Sequence, residues 1–194
     1  MATKATKAQG MYVVNLVIEG VTPLQQSKEY TSNEAKGPNE THADYEKRTW
    51  MQRAHINENG NVFMPAGALK KAMIDAARYS GDQIPGQGKK TYTAKVSSGI
   101  CVVSDIVTNK KEKDIEKRDV FAGMNNKRVW KSFPTVTGWT ATTCLHVYDP
   151  ILSPEVVTRI LDTAGKFIGI GTWRPQNGGE YGRFKIVKFE VSDL

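Results

Sequence analysis

Residues 62–78 read VFMPAGALKKAMIDAAR. Pro65 stands where a first helical turn tolerates a missing N–H. Behind it Leu69, Ala72, Met73, Ala76 and Ala77 recur three and four apart, the spacing of one helical face. Gly81 is placed to stop this helix. Lys70, Lys71 and Arg78 put positive charge on its other faces. Upstream, residues 11–19 (MYVVNLVIE) place Val14, Leu16 and Ile18 on one side at period two, which reads as a strand. Downstream, residues 100–107 (ICVVSDIV) and 138–148 (GWTATTCLHVY) read as a second and a third strand. Ser153, as N-cap, and Pro154 start a second helix with an apolar stripe of Val156, Val157, Ile160, Leu161 and Ala164, and Gly165 stands at its expected end. Residues 184–191 (FKIVKFEV) read as the last strand.

The order β-α-β-β-α-β predicts an α+β, ferredoxin-like (RRM-like) domain, an antiparallel sheet with both helices on one face. Two polar stretches, 25–61 and 108–137, read as long insertions into that core, and 82–97 reads as a loop. Residues 1–10 read as a flexible basic tail and 11–194 as one domain.

Composition narrows the class. The chain has 194 residues, 39% hydrophobic and 24% charged, which excludes disordered, collagen-like and coiled-coil chains. It contains no run of about 18 apolar residues, so no spanning helix is expected, nor is a secretory signal. Cys101 and Cys144 form neither a disulfide framework nor a zinc signature, and a reducing cytoplasm is the expected compartment. Twenty-seven Lys and Arg against 20 Asp and Glu give a net charge of +7, which favours anionic partners, nucleic acid first among them.

Catalytic patterns are missing. His42, His55 and His146 are dispersed, and no GxSxG, HExxH, CxxC or Walker spacing occurs. No catalytic residue, metal ligand or cofactor is assigned. Gly169 and Gly171 are not the start of a dinucleotide fingerprint, because they follow a helix and precede a strand.

Two segments do suggest binding. Gly165, Gly169, Gly171, Gly178, Gly179 and Gly182 crowd a loop that also carries Trp173, Arg174, Tyr181, Arg183 and Lys185. Cations beside aromatics and open amides suit a phosphate chain with stackable bases. The other reading is a wide connection that needs glycine for its own geometry. In 108–137, Lys127, Arg128 and Lys131 bracket Trp130 near Phe133, which suits either a nucleic-acid wedge or a surface hairpin with its own aromatic cluster.

These residues carry a resemblance. Residues 62–78 are similar to the IPGSSLKGxLR helix start of the RAMP superfamily, with Pro65, Leu69 and Lys70 in matching places. Residues 169–184 (GIGTWRPQNGGEYGRF) are similar to the glycine-rich loop before that family's last strand, and Gly20 with Pro23-Leu24 fits its first strand end. RAMP proteins form the backbone of CRISPR RNA-guided effector complexes. The resemblance implies a single-stranded nucleic-acid-binding subunit, RNA ahead of DNA, that oligomerises as a filament along its ligand beside other CRISPR subunits. It implies a thumb-like hairpin between strands two and three at 108–137, and phosphate contacts from Lys70, Lys71, Arg174 and Arg183. Ala66-Gly67-Ala68 replaces the family's Gly-Ser-Ser, so its hydroxyl contacts are absent. Asp44 lies where some members carry a cutting aspartate, but in no matching motif. The alternatives are a metal-independent endoribonuclease of the same superfamily, or a phage or mobile-element relative that binds single strands or docks on a CRISPR complex.

Overall fold

The structure, a computed structural model, describes residues 10–29, 36–124 and 127–194, with the side chains of 122–129 outside the description. In chain order the described residues form β1 (Tyr12–Gly20), β2 (Leu24–Gln25), α1 (His42–Thr49), β3 (Asn61–Met64), α2 (Ala66–Ser80), α3 (Thr93–Gly99), β4 (Ile100–Val102), β5 (Ile106–Lys111), β6 (Glu116–Met124), β7 (Lys127–Val136), β8 (Thr140–Val147), α4 (Pro154–Thr163) and β9 (Phe184–Asp193). The expected tail at 1–10 lies, but for Gly10, outside the described residues.

The chain is α+β with antiparallel sheets. The main sheet runs β3-β5-β8-β1-β9, with β4 also on β8. β8 is its centre, and β1 lies between β8 and the edge strand β9: Val14 lies opposite Leu145 on β8 and Val191 on β9, and Leu16 opposite Thr143 and Phe189. Alternation buries Tyr12, Val14, Leu16 and Ile18 on one face. They share one core with Leu69, Met73 and Ala76 of α2 and Val157, Ile160 and Leu161 of α4. Gly81 ends α2 in the left-handed region (φ 64°), and the Ser153 hydroxyl accepts from Val156 N at the start of α4.

Several expectations change. The second strand is cut in two between β4 and β5, because the break supplies two bonds elsewhere. Asp105 Oδ1 accepts from Ala66 N at 2.9 Å, and Ser104 Oγ accepts from Cys144 N at 2.9 Å. The loop expected at 82–97 runs only to Tyr92, after which α3 begins, and the buried Val96 of that helix joins the core. Gly165 does not end α4. The chain continues into a π-turn (Ala164–Ile168) and stops at Gly169, φ 74°. Gly165 instead lets β9 approach, since a Cβ there would stand 2.1 Å from Phe184 O.

The two polar stretches fold against each other. β6 and β7 form a hairpin paired from Glu116–Thr135 to Met124–Lys127, and β2 adds a third strand to it. α1 and a 3₁₀ turn (Trp50–Arg53) pack on β7. The joint is a buried clamp. Arg53 donates to both Glu46 oxygens at 2.6 and 2.8 Å and to Ser132 O at 2.7 Å, while Ser132 N donates to Glu46 Oε2 at 3.1 Å. The Arg53 guanidinium also lies 5.6 Å from the centre of the Phe133 ring.

Burial pushes the Glu46 carboxyl up, but the Arg53 fork, the Ser132 N–H and the neighbouring charges outweigh it and hold it below the ordinary glutamate value. A carboxyl so lowered adds stability above its unfolded pKa, about 4.3, and that contribution is lost as pH falls through the folded value. Glu46→Gln removes the carboxylate charge that the buried Arg53 guanidinium faces and replaces a two-oxygen acceptor with one. It is expected to lower unfolding free energy by about 3–5 kcal/mol at neutral pH in urea melts. The gap to wild type should narrow as pH drops below about 4.3.

Candidate nucleic-acid interface

After the π-turn the glycine-rich segment folds back on itself. Ile170 N donates to Gly182 O at 3.0 Å and Tyr181 N to Trp173 O at 3.1 Å. The segment hangs on the chain after β1: Gly182 N donates to Pro23 O at 2.8 Å and Thr172 N to Gln25 O at 2.9 Å. Glycine is required by these approaches. A Cβ on Gly182 would lie 1.8 Å from Ile170 O and one on Gly171 2.4 Å from Gln25 O, both at positive φ. The amides of Gly169, Gly178, Gly179 and Gly182 are bonded to carbonyls of the chain itself, so these four are not open to a ligand.

The docked loop and α2 wall a groove of about 390 Å³, lined by Lys71, Arg174, Asn177, His55 and the backbone of 169–172. Lys71 Nζ sits 2.7 Å from Asp75 Oδ1. Arg174 donates Nη1 to Gly171 O and Nε to Gln176 Oε1, each at 3.2 Å. An ammonium with one bond keeps two N–H groups, and a guanidinium with two keeps three. Both cations can therefore take a phosphate without leaving their seats. Burial and the Lys28 charge push the His55 imidazole down, so it faces the groove as a neutral ring, edge-on to Phe63 at 5.4 Å between centroids.

Asp75 ties the two walls. It is 3% exposed and accepts from Lys71, from Arg78 Nη1 at 3.0 Å and, across to the loop, from Gln176 Nε2 at 2.9 Å. Burial pushes its carboxyl up, but the Lys71 and Gln176 bonds and the two cations hold it below the ordinary aspartate value.

The other candidate residues are dispersed. Lys70 is turned inward: its ammonium donates to Val96 O at 2.6 Å and to Ile100 O, and burial pushes it down. It caps the end of α3, and its charge is absorbed by two carbonyls. Arg183 stands in a neighbouring cleft, bonded to Lys166 O. Trp173 and Tyr181 are half-buried. On the hairpin Trp130 is exposed, paired across the strands with Phe121 at 5.0 Å between centroids. Lys131, the next residue on the strand, points to the opposite face. Lys127 and Arg128 lie in β7 opposite Met124 and Gly123, and their side chains lie outside the description. His42 sits on α1, 3.9 Å from Glu46, and His146 on β8 beside Tyr148, so the histidines occupy separate elements. Among the described residues no three His, Cys, Asp or Glu converge as a metal site, and no helix is long and apolar enough to cross a membrane.

Sequence reasoning missed one feature. Tyr79 and Phe167 are exposed yet stacked on each other, 5.2 Å between centroids at 22°. Tyr79 lies one helical turn beyond Asp75 on α2 and Phe167 in the π-turn after α4, so no local spacing signals the pair.

Comparison with known proteins adds the fold. No family model matches, and no curated protein matches in sequence. Among solved structures the chain is similar to Cmr6 from Pyrococcus furiosus, with a TM-score of 0.50 and 12% identity over 91% of this chain and 98% of that one. It is also similar to a chain of the type III-B Cmr-beta complex bound to cognate target RNA, with a TM-score of 0.54 and 14% identity over 96% of this chain and 62% of that one. The fold is thus shared with CRISPR-associated subunits.

The glycine geometry is open to a direct check. Gly178 also has positive φ (77°), but nothing lies near its Cβ position. Gly178→Ala should therefore cost only about 1–2 kcal/mol, the left-handed penalty. Gly182→Ala should cost more and release the loop, read as a lower melting temperature and faster amide exchange at Ile170 and Thr172.

Proposed function

We propose that this chain is a RAMP-type subunit of a CRISPR RNA-guided complex, and that it binds single-stranded RNA along the groove between α2 and the glycine-rich loop without cutting it. The observation that carries the reading is the placement of Lys71 and Arg174 on facing walls of one groove, each with N–H groups to spare. The fold shared with the Cmr chains supports the setting, and the net charge of +7 supports the ligand. The order β9-β1-β8-β4, with α2 between the first and second of the core strands in sequence and α4 between the third and fourth, supports the ferredoxin-like part of this reading.

On this reading residues 11–194 are one domain. The insertions at 25–61 and 108–137 form a lobe whose hairpin is the thumb, and Trp130 with Phe121 is its stacking surface. Lys131, Arg183 and Tyr181 flank the path of the strand. Copies follow one another head to tail along the RNA in the cytoplasm. Asp44, the residue nearest in place to a cutting aspartate, is used at the start of α1. It accepts from the Thr41 hydroxyl at 2.6 Å, and its amide donates back at 3.2 Å, which favours binding over cleavage.

Fluorescence anisotropy with a labelled single-stranded RNA tests the groove. Affinity should fall steeply with salt and vary little with sequence. Lys71→Ala and Arg174→Ala should each weaken binding and reduce the salt slope by about one. Lys70→Ala should instead lower the melting temperature, since it uncaps α3. Equal affinity at low and high salt would overturn the groove. Trp130→Ala should weaken binding by roughly 1–3 kcal/mol with the melting temperature unchanged. For assembly, light scattering should show mass per particle growing with RNA length, and a constant monomer mass would remove the filament.

A further inference from the structure

Beside the groove, on the far side of Asp75, lies a second and larger cleft of about 520 Å³. The C-terminal half of α2 supplies Arg78 and Tyr79, the π-turn supplies Phe167, and the glycine-rich loop supplies Gln176 and, just before β9, Arg183. Tyr79 is 62% exposed and Phe167 49%, which is unusual for two large rings that already touch. Their near-parallel stack, at 22°, presents a flat π-surface rather than a rounded apolar knob.

The polar side of the cleft is cationic. Asp75 is the one carboxylate among the described residues that line it, and that group is already held by Lys71, Arg78 and Gln176. Arg78 spends Nη1 on it and is otherwise exposed. Arg183 spends Nη1 on Lys166 O and approaches Glu180 no nearer than 4.0 Å. Two guanidinium groups with donors in reserve, beside a flat aromatic wall, are complementary to a planar base joined to a phosphate. The size lies within the range of small-molecule sites. An acidic peptide would satisfy the arginines but leave the π-surface without a planar partner.

We propose that this cleft binds one nucleotide, its base laid on the Tyr79–Phe167 stack and its phosphate between Arg78 and Arg183. The nucleotide is either a free nucleoside monophosphate or the terminal nucleotide of a strand. Only the second source rests on the RNA-binding reading.

Isothermal titration with adenosine 5′-monophosphate, and with adenosine as the phosphate-free control, tests the first source. Saturable binding of the monophosphate, weaker binding of adenosine, a roughly five- to hundredfold loss in Phe167→Ala and recovery in Phe167→Tyr would establish a free-nucleotide site. Strand-end binding is tested with RNAs bearing a terminal phosphate, 5′ or 3′, against the same RNAs with terminal hydroxyls. A preference for one phosphorylated end that disappears in Phe167→Ala would assign the cleft to that end. Tyr79→Ala serves as a second variant, and both melting temperatures should match wild type because the two rings are exposed. If the protein binds the monophosphate but no RNA, the strand reading fails and the cleft stands. If the monophosphate does not bind and neither terminal phosphate matters, or if the alanine variants bind like wild type, the cleft is not a nucleotide site.

Discussion

The structure depends on one backbone-to-backbone approach. The glycine-rich segment comes so close to itself at Gly182 and Ile170, and to the chain after β1 at Gly171 and Gln25, that no side chain fits between. Gln25 is also a residue of β2, which pairs with Thr135 on the hairpin strand β7. The bond from Thr172 N to Gln25 O therefore fastens the loop to the second sheet, while Phe184, just beyond the loop, begins an edge strand of the first. The position of the hairpin lobe relative to the main sheet, the width of the groove and the seat of Arg174 all follow from that strut.

Charge is organised around the same joint. Asp75 lies under the groove on one side and the cleft on the other, and it accepts from a cation of each as well as from the loop amide of Gln176. A buried carboxylate with three donors holds its partners more firmly than solvent-exposed pairs do, because its desolvation penalises any loss of a bond. The two cationic surfaces are thus oriented by an anion that is itself shielded from solvent. The start of α2 is arranged otherwise. Asp105, from the break between β4 and β5, already occupies the Ala66 N–H, so the helix end that a phosphate would seek carries a carboxylate of the chain.

Much of this was legible in the sequence, and the exceptions have physical causes. The helical spacing from Leu69 to Ala77, the Ser153 cap and the alternation of β1 are local signals, and each lies where the periodicity places it. Lys70 and Lys71 are equivalent in composition. They part company because successive helical positions differ by about 100°, which sends one to the carbonyls of α3 and the other to the groove. α3 was itself hidden, since its Ser97, Ser98 and Gly99 are weak helix formers and its end is held by Lys70. The glycines were conspicuous, but composition does not distinguish a backbone open to a ligand from one packed on its own carbonyls. The stack of Tyr79 on Phe167 joins residues distant in sequence, and only the fold brings them together.

The clamp of Glu46 and Arg53 on Ser132 has a consequence for modularity. It makes the two insertions a single cassette: α1 and its 3₁₀ turn carry both charges, and the hairpin offers the backbone N–H and C=O that complete them. A graft that moves the hairpin alone onto a related core strips the donor and acceptor that the charge pair uses. A graft that moves α1 and its turn alone brings a buried ion pair without the backbone N–H and C=O that complete it. Chimaeras between this chain and proteins of the same fold must therefore exchange both segments together, and divergence of the hairpin in length or sequence is constrained at Ser132 and Phe133, where the clamp closes on it.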